Sequence, residues 1–166
     1  MGPVSATTAI DAPRERVHGL LADLAFRPAF TDHFIDQFRL ERLDSAGVGA
    51  AARFQIPSRG IWAESVITES SPPHLVLEEG GGGRLDHLPV QTAWTLVNAA
   101  SGCEVTVTFV IDTADDRFAD LAAKARGAEG WYRRQWSRAL RRLRDLAESD
   151  VTPPRVVVAG ADRLGV

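Results

Sequence analysis

The chain has 166 residues, of which 45% are apolar and 25% charged, and its formal net charge is −3. This length is typical of a single domain that is large enough to bury a proper core. The slightly acidic balance argues against a dedicated nucleic-acid-binding protein, which would carry an excess of Lys and Arg.

The first part of the chain predicts one strand followed by two short helices. Residues 4–10 are small and β-branched, as in a short strand. Asp11 followed by Pro13 is typical of a helix start, where a polar cap precedes a proline in the first turn. The apolar face of this helix consists of Val17, Leu20, Leu21 and Leu24. A second short helix is expected at about residues 28–33.

From residue 34 onward the apolar residues recur with a period of two, which predicts β-strands. Turn-forming residues separate the predicted strands. These strands cover residues 34–43, 50–56, 61–69, 75–79, 88–97 and 103–112. Because the connections are short, consecutive strands should be antiparallel neighbours.

The last predicted element is a long amphipathic helix over residues 117–148, whose apolar side chains form one band on a helical wheel. Glu129 falls inside this band and is bracketed by two glycines. The domain is expected to span residues 1–149. Residues 150–166 contain two adjacent prolines and predict a flexible tail, with an edge strand as the alternative.

These elements predict an α+β fold in which a curved antiparallel sheet of about six to seven strands wraps around the long C-terminal helix. Two short helices follow the first strand. One long helix cannot cover both faces of such a sheet, so it should lie in the concave face. The space beneath its N-terminal half then becomes a cavity.

The order of elements and several short motifs resemble the START and polyketide-cyclase (SRPBCC) superfamily, whose helix-grip fold includes the birch-pollen allergen. The matching motifs are Ile10-Asp11-Ala12-Pro13, Leu20-Leu21-Ala22-Asp23, Arg27-Pro28-Ala29-Phe30, Gly47-Val48-Gly49, Ser71-Pro72-Pro73 and Trp94-Thr95-Leu96. The resemblance implies a hydrophobic pocket between the sheet and the long helix. Members bind lipids, sterols, polyketides or plant hormones, and a minority catalyse cyclisation, aromatisation or hydrolysis.

Glu129 and Tyr132 are the candidate catalytic residues. A carboxyl facing an apolar cavity has a raised pKa and can act as a general acid or base. The alternative is that the flanking glycines bend the helix and Glu129 reaches solvent or an arginine. Tyr132 resembles by its location the tyrosines that position substrate hydroxyls in cyclase-type members, and it also fits an ordinary core aromatic residue.

Eight further residues are candidates for binding an apolar ligand. They are Phe54, Trp62, Trp94, Phe109, Phe118, Leu121, Ala125 and Trp136. For Trp62 the assignment is ambiguous, because the alternate face of its strand, which starts at Ile61, is equally apolar. Arg53 could hold an oxyanion, but strand alternation places it outside if Phe54 faces the core.

The glycine run at residues 80–83 predicts a mobile loop over residues 80–87 that could cover the cavity mouth. Asp86 and His87 within it suggest a polar loop rather than a catalytic dyad, because no Gly-x-Ser-x-Gly elbow supplies a nucleophile. Cys103 is the single cysteine, which excludes an intramolecular disulfide. The histidines lack ligand spacing, so neither a metal nor a cofactor is expected.

Three functions remain open at this point. The first is binding of a hydrophobic small molecule, such as a lipid or polyketide, for transport, sequestration or resistance. The second is a polyketide cyclase or aromatase that uses the cavity residues, and the third is a partner-binding module with a vestigial pocket. Without a signal peptide or a long apolar segment we expect a cytoplasmic protein with no integral membrane association. A homodimer is left open.

Overall fold

A computed structural model describes residues 2–82, 88–112 and 128–158. Its helices are α1 (Arg14–Ala22), α2 (Arg27–Thr31) and α3 (Glu129–Glu148). Its strands are β1 (Val4–Ile10), β2 (Asp36–Leu40), β3 (Ala51–Ile56), β4 (Ile61–Ser71), β5 (Leu75–Gly82), β6 (Leu88–Asn98) and β7 (Cys103–Ile111). Short 3₁₀ turns occupy Leu24–Phe26 and Pro57–Arg59.

The strands form one antiparallel sheet in the order β1-β7-β6-β5-β4-β3-β2. From β2 to β7 every strand lies beside its neighbour in sequence, as short connections require. The last strand, β7, also pairs with the first, β1, with Val4 opposite Phe109 and Ile10 opposite Cys103. The predicted α+β helix-grip fold is therefore confirmed, with seven strands in the described residues.

α3 packs against β1 and α2 and presents one apolar side to the sheet. Its buried residues recur at helical spacing, as predicted. They are Tyr132, Trp136, Ala139, Leu140, Leu143 and Ala147. The helix ends at Glu148 as expected, whereas residues 117–127 of the predicted helix lie outside the described residues. No helix of the described residues is long and apolar enough to cross a bilayer.

β2 is shorter than predicted because the chain first completes the core behind α2. Phe34 and Ile35 are buried there rather than paired in the sheet. Gln37 then adopts a positive φ of 51°, and the pairing of β2 with β3 shifts register between Asp36 and Arg39. A side chain in the left-handed region interrupts a regular strand, so only a short edge strand forms.

The glycine run continues β5 rather than forming the predicted loop. Residues 80–82 pair with residues 88–90 of β6. The reason is a close approach of two backbones, since a Cβ atom on Gly80 would lie 1.8 Å from the carbonyl oxygen of Glu64. Glycine is required there to pass the neighbouring strand. Residues 83–87, including Asp86 and His87, lie outside the described residues.

The described part of the C-terminal tail packs against the turn between α1 and α2. The Val156 amide donates to the carbonyl of Ala25 at 3.0 Å. The Arg155 guanidinium donates to Asp23 at 2.8 Å and lies over the Phe26 ring. Up to residue 158 the tail therefore covers one end of the domain and is not an edge strand. The domain boundary at residue 149 stays a prediction.

We expect Gly80→Ala to destabilise the fold by about 3 kcal/mol, because the new methyl group would force β5 away from β4. Gly19→Ala is the matched control. Gly19 lies in α1, where an added Cβ meets nothing within 4 Å, so this change should stabilise the protein by about 0.5–1 kcal/mol. Urea unfolding of both variants measures the difference. Equal midpoints would show that the backbones do not approach as described.

Candidate functional site

A cavity lies between the concave face of the sheet and α3, and most of its wall is apolar. The apolar lining includes Phe34, Phe38, Phe54, Ile61, Phe109 and Trp136. The volume of the cavity is about 30 Å³, which is enough for roughly two water molecules. A larger guest therefore has to displace side chains.

The polar part of the wall is a buried ion pair between α2 and β5. Arg27 is 4% exposed and Glu78 is 3% exposed. The Arg27 Nη2 atom lies 2.6 Å from Glu78 Oε1, and its Nη1 atom donates to Oε2 at 3.3 Å. This bidentate geometry is the strong form of an Arg–carboxylate interaction. It fixes both side chains at one end of the cavity.

Three neighbours add further hydrogen bonds to this pair. Trp94 Nε1 donates to Glu78 Oε1 at 2.8 Å, and the Ser65 hydroxyl donates to Oε2 at 2.7 Å. Arg27 Nη2 also donates to the Leu21 carbonyl, and its guanidinium lies 4.9 Å from the centroid of the Trp94 ring. The carboxylate thus accepts four hydrogen bonds, which fills its capacity.

This pair was not predicted from the sequence, although both residues carried a signal. Glu78 is two residues after the buried Val76, so strand alternation turns both side chains inward. Arg27 begins α2 and precedes Pro28, within a segment that the sequence analysis used only as a fold motif. A charged residue on the buried face of a strand requires a partner, and that requirement could have pointed to Glu78.

Two side chains of α3 that carry hydrogen-bond donors also belong to the cavity wall. Tyr132 and Trp136 are 1% and 3% exposed, and both line the cavity. Within the described residues, the Tyr132 hydroxyl and the Trp136 Nε1 atom have no hydrogen-bond partner. Burial raises the pKa of Tyr132 to about 12, with an opposing contribution from the positive charge of Arg59. Tyr132 is therefore a neutral donor at physiological pH.

The structure brings three of the predicted ligand-binding residues to the cavity wall, namely Phe54, Phe109 and Trp136. Phe109 contacts the rings of both Tyr132 and Trp136, at centroid distances of 4.9 and 5.6 Å. Trp94 is fully buried and packs behind this wall, where its indole holds Glu78. Its role is to support the ion pair.

The assignment of Trp62 to the cavity is wrong. Ile61 and Ala63 are the buried residues of β4 that line the cavity, so alternation turns Trp62 to the outer face. There its ring lies 5.8 Å from the Arg39 guanidinium and 5.9 Å from that of Arg53. The outward orientation of Arg53 is confirmed by the same contact.

Glu129 does not face the cavity, and of its two alternatives the structure shows the one in which it reaches solvent. Glu129 is exposed in the first turn of α3. A helical wheel gives the direction of a side chain but not whether another element extends far enough to cover it. At this end of α3 the buried positions are Ala128 and Tyr132. Phe118, Leu121 and Ala125 lie outside the described residues, and their predicted roles are not tested.

Among the described residues, no three His, Cys, Asp or Glu side chains are grouped so that they could hold a metal ion. The donors and acceptors of the cavity instead suit an organic molecule, with apolar walls for its carbon skeleton and N–H and O–H groups for its oxygen atoms.

Sequence comparison assigns the family. The model of a family described as polyketide cyclase / dehydrase and lipid transport matches residues 1–148. The chain belongs to this family. The SRPBCC resemblance of the sequence is thereby confirmed, and the match ends where α3 ends. No match was found among curated proteins.

Solved structures show the same fold at low sequence identity. The solution structure of the KanY protein has a TM-score of 0.71 at 19% identity, over 90% of this chain and 100% of that chain. Major latex-like protein 151 from Panax ginseng has a TM-score of 0.65 at 14% identity, covering 89% and 98%. Protein CV1439 from Chromobacterium violaceum has a TM-score of 0.64 at 17% identity, covering 90% and 100%.

Tyr132 is the one tyrosine of this family member, so an ultraviolet pH titration reports its phenolate directly. We expect ionisation near a pKa of about 12 instead of the ordinary 10. Because the folded state holds this proton more tightly, the resulting stability is present below about pH 10. It is lost as the pH rises towards about 12.

The Tyr132→Phe variant is the control for both effects. It should lack this alkaline loss of stability when its urea midpoint is compared with that of the original protein. At neutral pH it should be as stable or up to about 1 kcal/mol more stable, because it removes a buried hydroxyl that has no hydrogen-bond partner among the described residues. A phenolate that forms at the ordinary pKa would contradict the burial of Tyr132.

Proposed function

We propose that this protein binds a small, mostly apolar molecule carrying oxygen acceptors in the cavity between the sheet and α3. The observation that supports this most directly is that the Tyr132 hydroxyl and the Trp136 Nε1 atom have no hydrogen-bond partner among the described residues. Leaving a buried donor without a partner costs about 1–3 kcal/mol, and such groups are rare in folded proteins. A carbonyl oxygen that accepts from Tyr132 or Trp136 would recover this energy.

The cavity wall supports an aromatic or polycyclic carbon skeleton. Phe34, Phe109 and Trp136 present ring edges and faces at centroid distances of 5.1 to 5.6 Å. Phe38 and Phe54 stack on each other at 6.1 Å and are only half-buried. We infer that a ligand enters beside this half-buried pair, where the wall reaches solvent, and separates the rings to make room.

The arrangement favours binding over turnover. A general acid or base works best when its pKa is near the working pH, whereas the pKa of Tyr132 is about 12. The exposed Glu129 does not reach the cavity, and the Glu78 carboxylate in its wall is already engaged by Arg27, Ser65 and Trp94. We therefore propose transport or sequestration of the ligand, in keeping with the lipid-transport part of the family description.

Native mass spectrometry of the purified protein, followed by extraction, tests for a bound small molecule. A stoichiometric apolar adduct with carbonyl or ether oxygens would support the proposal and identify the ligand class. A series of aryl ketones (acetophenone, 2-acetylnaphthalene and flavone) then probes the cavity by isothermal titration calorimetry. The proposal fails if the protein yields no adduct and binds none of the three ketones.

We expect Tyr132→Phe and Trp136→Phe each to weaken binding of the best ketone by about 5- to 20-fold, because each removes one donor and keeps an aromatic ring. Trp62→Phe is the matched control. It makes the same change as Trp136→Phe on the outer face of the sheet, so the affinity should stay the same. Equal affinities of all three variants would show that ketone binding does not depend on the two donors of α3.

A further inference from the structure

The ion pair at the end of the cavity carries an inference about the charge of the ligand, and it rests on the proposed function. We propose that Glu78 is a specificity-determining residue. Its carboxylate cancels the charge of Arg27, so the cavity accepts neutral ligands and excludes organic anions.

The charges of the ion pair lie in the wall of the cavity. Arg27, Ser65 and Glu78 all line the cavity, and both members of the ion pair are more than nine-tenths buried. A ligand that fills the cavity therefore contacts this pair without intervening solvent. Glu64 also lines the cavity, but it and Arg59 are only half-buried, so their charges are screened more strongly.

The ion pair has no acceptor left for a ligand, but it still has a donor. Both oxygens of Glu78 already accept two hydrogen bonds each, from Arg27, Trp94 and Ser65. Arg27 directs its bonds to Glu78 and to the Leu21 carbonyl. Its Nε atom has no partner within the described residues. What the pair still offers a ligand is therefore donor capacity.

The opposite charges of Arg27 and Glu78 cancel each other. An arginine alone at the end of an apolar cavity would attract a carboxylate strongly. Here the Glu78 carboxylate lies 2.6 Å from that guanidinium, so an incoming anion meets a pair with no net charge. It would lose its hydration without a compensating charge, which is costly in an apolar site. A neutral carbonyl loses little hydration and can still accept from the remaining donors.

If the ion pair had only a structural role, changing its charges would not alter the preference between neutral and anionic ligands. Buried pairs can often be replaced by apolar residues without loss of stability, and a pair inside the core would leave ligand preference unchanged. The Arg27–Glu78 pair instead forms part of the cavity wall. Ligand charge preference therefore distinguishes a role in specificity from a role in stability.

The test uses two probes of nearly the same shape, 2-acetylnaphthalene, which is neutral, and 2-naphthoate, which is an anion at neutral pH. Isothermal titration calorimetry measures both affinities. We expect the original protein to prefer the ketone by at least about tenfold. Glu78→Gln keeps the shape and removes the charge, so it should shift the ratio towards the anion by at least about tenfold.

Glu79→Gln is the matched control, because Glu79 is the next residue of β5 and is exposed on the outer face, where Gln91 donates to it at 3.0 Å. This variant should leave the ratio unchanged. Arg27→Gln makes the opposite charge change in the same pair and should widen the preference for the ketone. It gives a second reading if Glu78→Gln does not fold.

Three results would overturn the inference while leaving the proposed function intact. They are equal binding of both probes by the original protein, an unchanged ratio in Glu78→Gln, and an equal shift in Glu79→Gln. If the original protein binds neither 2-acetylnaphthalene nor the other aryl ketones, that result would instead count against the proposed function itself.

Discussion

The buried ion pair between Arg27 and Glu78 is the interaction on which the site depends. Removing both charges from water costs several kcal/mol, and only good geometry with full hydrogen bonding compensates for that. Here the carboxylate is satisfied by three residues from three different strands or helices besides its own, namely Arg27, Ser65 and Trp94. The pair therefore fixes α2, β4, β5 and β6 relative to one another, and it creates one polar end in an otherwise apolar cavity.

An aromatic cluster connects this polar end to α3. Trp94 contacts Phe30 and Trp136 edge to face, at centroid distances of 6.1 and 5.5 Å. Trp136 in turn contacts Phe34 and Phe109. Rings held at such angles pack densely and leave little free volume. The same rings that position the donors of α3 thus keep the cavity narrow, so that a ligand has to replace contacts between the rings with contacts of its own.

Periodicity alone predicted most of the fold. The core strands begin within one residue of their predicted starts, and α3 ends where the sequence indicated, because alternation and helical spacing are local properties. The failures concern partners that are distant in sequence. Glu78 lies 51 residues from Arg27, and the strand conformation of Gly80 depends on the backbone of β4. The orientations of Trp62 and Glu129 stayed open because a periodic pattern cannot choose between two apolar faces of a strand or show which part of a helix is covered.

The polar atoms around the cavity favour one kind of guest when they are considered together. The Glu78 oxygens are filled by protein donors, while the Tyr132 hydroxyl and the Trp136 and Arg27 N–H groups still have donor capacity. An indole N–H only donates, and a phenol with a pKa of about 12 keeps its proton at neutral pH. A guest rich in hydroxyl or ammonium donors would find few acceptors here, and an anion would find no net positive charge in the ion pair. A neutral molecule with carbonyl oxygens on an apolar skeleton can accept hydrogen bonds from these donors while its carbon atoms contact the apolar wall. Its binding energy would then offset the separation of the aromatic rings that admits it.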